Sequence, residues 1–209
     1  MGDRYAEGFE AVNANIRRKL GSKNLDESPA AFAGVVPSAV ATYVTTEEKG
    51  DSLIHQTVFT LAALPITMRD TEQGGGAKIY TFPKGRILFL GGSGQITPTT
   101  TSAILTTLNG GVTCNWGVGT TTQASATLAT TEQDLIQVAA WVSSTVINTA
   151  PAASTAGKGV AIVTPYAGVS TATAAFLNLA VALNTDIDGD AAITVSGTIA
   201  LTWLSLGAL

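Results

Sequence analysis

Charged residues are scarce in this sequence, and their scarcity bounds the partners that the protein can have. They make up 12% of the 209 residues, about half of the ~25% that is typical of globular domains. The net charge is −4, and Arg17-Arg18-Lys19 is the only basic cluster. Proteins that bind nucleic acid present many clustered cations to the phosphate backbone. We therefore expect no nucleic-acid partner.

Cysteine and histidine are each present once, which removes most nucleophilic chemistry. A single thiol, Cys114, cannot form an internal disulfide. A single imidazole, His55, makes neither a Ser-His-Asp nor a Cys-His pair convincing. Cys114 falls on the inward side of an alternating segment, so we expect a buried structural thiol. We expect His55, at the start of a strand, to be structural or exposed.

Sequence motifs for catalysis or cofactor binding are also missing. There is no HExxH, CxxC or Walker-type motif, and the glycines at 74–76 and 91–94 lack the Lys-Ser/Thr of a phosphate loop. Glu132 and Asp134 are the only acids between residues 91 and 185. Capping of a short helix within Thr130–Ala140 explains them better than acid–base catalysis does. We therefore expect no enzyme and no cofactor.

One acidic segment, Asn184–Asp190, is a candidate for calcium binding. Counted from Asn184, acids occupy the third and fifth positions and glycine the sixth, as in an EF-hand loop. The twelfth position holds Val195 instead of glutamate, and strands are predicted on both sides. An exposed acidic β-turn is the simpler interpretation. We assign no metal ligand, and calcium binding stays open.

The first 50 residues differ from the rest because charge is dense and apolar spacing is helical. The apolar residues recur at steps of four, three, four and four, which predicts one stripe of a helix from about residue 4 to 20. The stripe consists of Tyr5, Phe9, Val12, Ile16 and Leu20. Ser22–Thr46 has weak periodicity and two prolines, which indicates an extended arm. The stripe either packs on the protein's own core or docks on a neighbouring subunit, and the arm favours the second interpretation.

From residue 51 onward, short β-rich segments alternate with glycine-, proline- and asparagine-containing turns. This pattern predicts a mainly β body over residues 51–209, a jelly-roll-like β-sandwich, preceded by the N-terminal helix and arm over residues 1–50. The predicted strands are His55–Leu61, Lys78–Phe82, Arg86–Leu90, Ile104–Leu108, Val112–Val118, Val160–Thr164, Ala175–Leu183 and Ala192–Leu206. Clean alternation in two of them places Trp116 and Trp203 on a buried face.

Turn signals and one long apolar stretch complete the prediction for the body. Pro83-Lys84-Gly85 predicts a hairpin between its flanking strands. Gln73–Gly76 is expected to be a loop, and Gly91–Gly94 to end a strand. Gly159–Leu183 carries no charge and is long enough to span a bilayer. Pro165 and the polar residues around it favour two buried strands and a turn, so we expect no membrane insertion.

Four segments of the body carry a family resemblance. They are His55–Leu61, Gly76–Leu88, Trp116–Thr120 and Ile193–Trp203. Together they resemble structural proteins of tailed bacteriophages and, more narrowly, capsid decoration (cement) proteins. The resemblance covers about residues 50–209, and its motifs are structural rather than catalytic.

The resemblance implies a specific role in the virion. It implies a jelly-roll-like body, a homotrimer on the outer capsid surface, and an arm that grips the major capsid protein. On this hypothesis the apolar stripe of residues 5–20 is the partner-binding element. The protein then stabilises the seams between capsomers.

Two alternatives from other functional classes stay open. A phage carbohydrate- or receptor-binding module needs exposed aromatic side chains on one face. Trp116, Trp141 and Trp203 are the candidates, although core packing is the expectation for two of them. Another virion structural protein, such as the major capsid protein, would need greater length and basic residues facing nucleic acid.

Overall fold

Ten β-strands make up most of the described chain. The structure is a computed structural model that describes residues 33–50, 54–99, 113–124, 126–142, 153–155, 166–168, 172–181 and 190–205. The strands are β1 (Val44–Gly50), β2 (Ile54–Met68), β3 (Gly74–Thr81), β4 (Gly85–Thr99), β5 (Thr113–Gly119), β6 (Ile136–Val142), β7 (Ala153–Thr155), β8 (Tyr166–Gly168), β9 (Ala174–Val181) and β10 (Ala191–Ser205). The prediction of a mainly β protein is confirmed.

The strands form two antiparallel sheets. The first sheet has the order β1-β2-β10-β4-β7, with β8 also paired to β4, and the second has the order β3-β9-β5-β6. Three strands of 15 residues, β2, β4 and β10, form the centre of the first sheet. Along β10, Leu204 pairs with Ile54 on one side and with Leu88 on the other.

Alternation of apolar and polar residues decides which face of each sheet is buried. In β10 the inward residues are completely or almost completely buried, while the residues between them are half-buried or exposed. The buried residues are Ile193, Val195, Ile199, Leu201 and Trp203. Together with the inward residues of the second sheet they form one apolar cluster. Two antiparallel sheets around a shared core are consistent with a β-sandwich.

A chain of aromatic contacts joins the two sheets at one end. Tyr80 of β3 packs edge-on against Phe59 of β2, with ring centroids 5.2 Å apart. Phe82 continues the chain to Phe89 at 4.9 Å and to Trp203 at 5.5 Å. Edge-to-face pairs at these distances are a favoured geometry for aromatic rings, so this end of the core is specifically packed.

Two glycine clusters lie inside strands, although one was expected to form a loop and the other to end a strand. β4 continues through Gly91–Gly94, and Gly74–Gly76 opens β3. A Cβ atom on Gly94 would lie 2.9 Å from Cη2 of Trp116 across the core, and one on Gly92 would lie 2.7 Å from Cγ1 of Ile136. These glycines are required because large side chains of the opposite sheet approach the backbone there. The predictions of a loop at Gln73–Gly76 and of a strand end at Gly91–Gly94 were wrong. At Gly92 and Gly94 the glycines reflect this close approach.

The predicted hairpin at Pro83-Lys84-Gly85 was also wrong. β3 pairs with β9 in the second sheet, whereas β4 pairs with β10 in the first. The turn therefore carries the chain from one sheet to the other, with Phe82 buried between them. A turn signal reports a local reversal of direction and does not determine which strand becomes the partner.

The helix predicted within Thr130–Ala140 is replaced by a 3₁₀ turn and a strand. Thr130–Glu132 forms the turn, and Ile136–Val142 is β6. The carboxylate of Glu132 accepts the backbone N–H groups of Ala124 at 2.8 Å and Ala129 at 2.7 Å. Pairing of Ile136–Val142 with β5 outweighs the helix propensity of this segment. Glu132 nevertheless accepts hydrogen bonds from backbone N–H groups, as a capping residue would.

The described part of the predicted arm packs on the body. Val44–Gly50 is the edge strand β1, and Val35 forms a β-bridge with Thr81. Val36, Val40 and Tyr43 pack against the core cluster. The predicted helix at 4–20, with its five stripe residues, and the predicted strands at 104–108 and 160–164 lie outside the described residues. Within the described ranges, no helix is long and apolar enough to cross a membrane.

Candidate functional site

Several of the described residues that the sequence singled out are buried in the core. Cys114, Trp116 and Trp203 have no exposed surface, as the alternation predicts. Cys114 is a free thiol. The side chain of Trp141 and the stripe residues Tyr5 to Leu20 lie outside the described part of the chain. Two of the three tryptophans therefore cannot contribute to an exposed sugar-binding platform.

His55 lies at the centre of a buried polar cluster that joins three strands. Its ring stacks on Trp203 of β10, with centroids 4.1 Å apart and planes 10° from parallel. Nδ1 of His55 is 3.1 Å from Oε1 of Glu48 on the edge strand β1. The hydroxyl of Thr57 donates to Oε2 of Glu48 at 2.8 Å, and the indole N–H of Trp203 donates to Oγ1 of Thr57 at 3.0 Å. The edge strand is thus attached to the core by side chains as well as by its backbone ladder.

Tyr80 connects this cluster to the point where the N-terminal segment reaches the body. Its hydroxyl accepts the backbone N–H of Gly34 at 2.5 Å. Burial, together with the nearby charge of Glu48, raises the pKa of Tyr80 to about 12. The phenol therefore stays protonated at physiological pH, available both to accept from Gly34 and to donate within the cluster.

The geometry of this cluster supports a structural role. His55 has no exposed surface, and the side chain of Glu48 is only 7% exposed, so a substrate in solution has no route to either group. No motif or periodicity in the sequence pointed to Glu48 or Tyr80. Glu48 lies directly opposite Thr57 in the β1–β2 register, a relation that becomes visible only once that strand pairing is known.

A second buried polar cluster is centred on Asn178 of β9. Its Oδ1 accepts the backbone N–H of Gln123 at 2.9 Å. Its Nδ2 donates to the backbone oxygens of Thr121 at 2.9 Å and Glu132 at 2.8 Å. Asp134 adds an anchor by accepting the backbone N–H of Thr120 at 2.8 Å. These bonds hold the connection between β5 and β6 against the sheet, so the acids that the sequence offered for catalysis are engaged internally.

The calcium candidate is described only at its last residue. Asp190 is exposed, and its Oδ1 accepts the backbone N–H of Asp70 at 2.9 Å. Residues 184–189 lie outside the described ranges. In the part of the chain that the structure covers, no group of three or more His, Cys, Asp or Glu side chains is placed to hold a metal ion.

The outer face of the first sheet spans three long neighbouring strands. Across β2, β10 and β4 its registered rows are Thr60–Thr198–Gln95, Val58–Ala200–Ser93, Gln56–Thr202–Gly91 and Ile54–Leu204–Leu88. None of these residues is charged. The last row and Leu90 form an apolar area at one corner, here named the corner patch: Ile54, Leu88, Leu90 and Leu204. On the edge strand β1 the rows continue to Glu47, opposite Val58, and to Lys49, opposite Gln56, and these two exposed side chains form an ion pair. The face is therefore uncharged in these rows of its three central strands, charged at the β1 edge and apolar at one corner.

No family model, curated protein or solved structure matches this chain. Its function is accordingly inferred from its own residues and fold. Both polar clusters are buried and serve internal hydrogen bonds, and the accessible features are surfaces.

Proposed function

We propose that this protein is a capsid decoration (cement) protein, which binds the outer surface of a tailed-phage capsid and stabilises the seams between capsomers. The observation that carries the proposal is the connectivity of the two sheets. The scarcity of charge on the three central strands of the outer face and the internal use of the polar clusters support it further.

The connectivity supports a jelly roll. The chain changes sheet between β2 and β3, between β3 and β4, between β4 and β5, between β6 and β7, and again on either side of β9, while β5 and β6 are neighbours in one sheet. An antiparallel double sheet with repeated crossings of this kind is the arrangement of jelly rolls, which recur in viral capsid proteins and lectins. Because folds host many functions, the fold alone favours a virion role without specifying it.

The surface chemistry supports an exterior position. A protein on the outside of a capsid does not face the packaged nucleic acid, and a net charge of −4 with a single short basic cluster matches that environment. A shell protein lining the genome would need a basic inner face. The partner that we propose is the major capsid protein.

The mechanism is mechanical. A decoration protein that spans a seam adds buried area which must be exposed again when capsomers separate. Apolar burial contributes about 25 cal/mol per Å² before association costs are subtracted. A homotrimer with three equivalent contacts multiplies a weak single contact through avidity. We propose that the predicted stripe at residues 5–20 supplies each contact, as an amphipathic helix does in a hydrophobic groove.

Co-sedimentation with mature capsids tests the proposal. The full chain is expected to bind at saturable stoichiometry, and a variant without residues 1–25 to lose binding. The double variant Phe9→Ser/Ile16→Ser is expected to lose binding as well, since both changes fall on the stripe. Ala14→Ser, on the opposite side of the predicted helix, is the matched control and retains it.

Two outcomes would count against the proposal in different ways. Undiminished binding after deletion of residues 1–25 contradicts the role of the stripe. Absence of binding by the full chain contradicts the capsid role itself. Light scattering of the purified protein tests the homotrimer, and a monomer at micromolar concentration contradicts it.

A further inference from the structure

The corner patch is exceptional on the described surface. Ile54 is 46% exposed and Leu90 is 42% exposed, and they belong to a set of four large apolar side chains with this degree of exposure in the described ranges. The other two lie elsewhere, because Val35 forms a bridge with Thr81 of β3 and Val138 is in β6. Leu204 lies between Ile54 and Leu88 in the strand register, and Leu90 follows Leu88 by two positions in β4, at a bulge in the pairing with β10. Contiguous exposed apolar side chains commonly mark an interaction site.

The N-terminal segment carries the apolar surface that matches the corner patch. Its stripe comprises five large side chains on one predicted helical face, Tyr5 to Leu20. An isolated helix of about 17 residues is marginal in water, and such helices gain most of their stability by packing an apolar face. A free protein that left this stripe in water would forgo that stabilisation.

The point where the N-terminal segment joins the body places the corner patch within its reach. Gly34 and Val35 are fixed at β3 by the Tyr80 hydroxyl and the bridge to Thr81. Trp203 precedes Leu204 in β10, and its ring contacts Phe82 directly after β3, so both features lie at the same end of the body.

The linker is long enough for this distance. With sheets ~10 Å apart and strands ~4.8 Å apart, the path from the anchor around the β1 edge to the corner patch is roughly 30 Å. The residues from 21 to 33 can span up to roughly 40 Å when extended. No unfolding of the described body is needed.

We propose that the segment 4–20 docks its apolar stripe on the corner patch of the same molecule while the protein is free. The docked segment covers the stripe and the corner patch at once. On the capsid the stripe exchanges this internal site for the external partner, so the corner patch becomes uncovered when the arm is engaged. The docking concerns the free protein and stands or falls separately from the capsid role.

Limited trypsin digestion tests the docking because Arg17, Arg18 and Lys19 lie within the segment. The rate of cleavage at these residues, followed by mass spectrometry, reports how often the segment is undocked. Leu90→Ser is expected to accelerate cleavage roughly tenfold, since it removes a contact of about 60 Å² of apolar surface. Phe9→Ser is expected to have a similar effect from the other side of the contact. Val138→Ser, equally exposed but on the other sheet, is the matched control and leaves the rate unchanged.

A double variant separates docking from unrelated effects. If the stripe and the corner patch contact one another, trypsin cleaves the double variant Phe9→Ser/Leu90→Ser no faster than it cleaves the more rapidly cleaved single variant. Additive acceleration overturns the proposal, as does a wild-type rate in Leu90→Ser. Thermal unfolding of each variant checks that the body remains folded.

The concentration dependence identifies the occupant. Docking within one molecule predicts the same cleavage rate at 1 µM and at 50 µM protein, whereas protection that grows with concentration shows that another copy covers the corner patch and overturns the proposal. If Leu90→Ser changes the oligomeric state in light scattering but not the cleavage rate, the corner patch is a subunit interface and the proposal fails.

Discussion

Replacement of Glu48 by glutamine should destabilise the protein through the buried cluster rather than through the surface. The carboxylate of Glu48 accepts the Thr57 hydroxyl at 2.8 Å and lies 3.1 Å from Nδ1 of His55. Glutamine keeps the volume but replaces one acceptor oxygen by an NH₂ group and removes the charge. Hydrogen bonds to a charged group each contribute roughly 1.5–3 kcal/mol. With partial compensation by the remaining oxygen, we expect a loss of about 2–4 kcal/mol in the free energy of unfolding.

Urea unfolding followed by tryptophan fluorescence measures this loss, since Trp203 stacks on His55. Glu47→Gln is the matched control because Glu47 is the neighbouring residue of the same strand. Its carboxylate pairs with Lys49 at 3.4 Å, and its side chain is 68% exposed. Exposed ion pairs of this kind contribute at most about 1 kcal/mol. Equal effects of the two substitutions, within about 0.5 kcal/mol, would refute the claim that the cluster fixes the edge strand.

Three further predictions concern the core and the loop. The pKa of Tyr80 is raised from 10.0 to about 12 on folding, so the stability that the protonated phenol contributes is present below pH 10 and is lost between pH 10 and 12. The urea midpoint of Tyr80→Phe should therefore decline less steeply over that range than the midpoint of the wild type. Gly94→Val should lower the free energy of unfolding by about 1–3 kcal/mol, because the added side chain overpacks against Trp116. Thermal unfolding measures this loss, and Ser93→Ala serves as a near-neutral control. Asn178→Leu should lower the free energy of unfolding by about 3 kcal/mol, because it removes three hydrogen bonds to backbone groups. It should also speed amide hydrogen exchange in residues 120–135, and unchanged exchange there would contradict the anchoring role.

Local alternation was sufficient to predict the inward faces of the longest strands. Trp116 and Trp203 are buried as their spacing predicts, because a strand with one side in the core must place every second side chain there. The same reasoning identified Cys114 as a buried thiol. These inferences depend only on the period of the strand and need no knowledge of its partners.

The features that sequence reasoning missed depend on contacts between distant residues. Gly92 and Gly94 resemble residues that end a strand. Their actual role is to leave room for the side chains of Ile136 and Trp116, which approach them from the other sheet. The Pro83 turn read as a hairpin, although its flanking strands belong to different sheets. In each case the sequence correctly indicated small or turn-forming residues. The structure at these positions depends instead on which distant residues pack against them or pair with the flanking strands.

The buried polar clusters could not be assembled from sequence for a similar reason. Glu48 and His55 are seven residues apart and meet because β1 and β2 pair antiparallel. Asn178 is 55 residues from Gln123 and 46 from Glu132. The spacing carries no periodic signal, so only the register of the strands brings these groups together. What the sequence did indicate correctly was that Glu132 serves backbone donors.

The thermal stability of the capsid with and without this protein tests the central proposal most directly. Stripped mature capsids are heated in the presence of saturating full chain or of the variant that lacks residues 1–25, and release of the packaged DNA is followed with a fluorescent dye. We predict that the full chain raises the temperature of DNA release and that the shortened variant leaves it unchanged. An unchanged release temperature with the full chain bound at saturation would contradict a role in stabilising the shell.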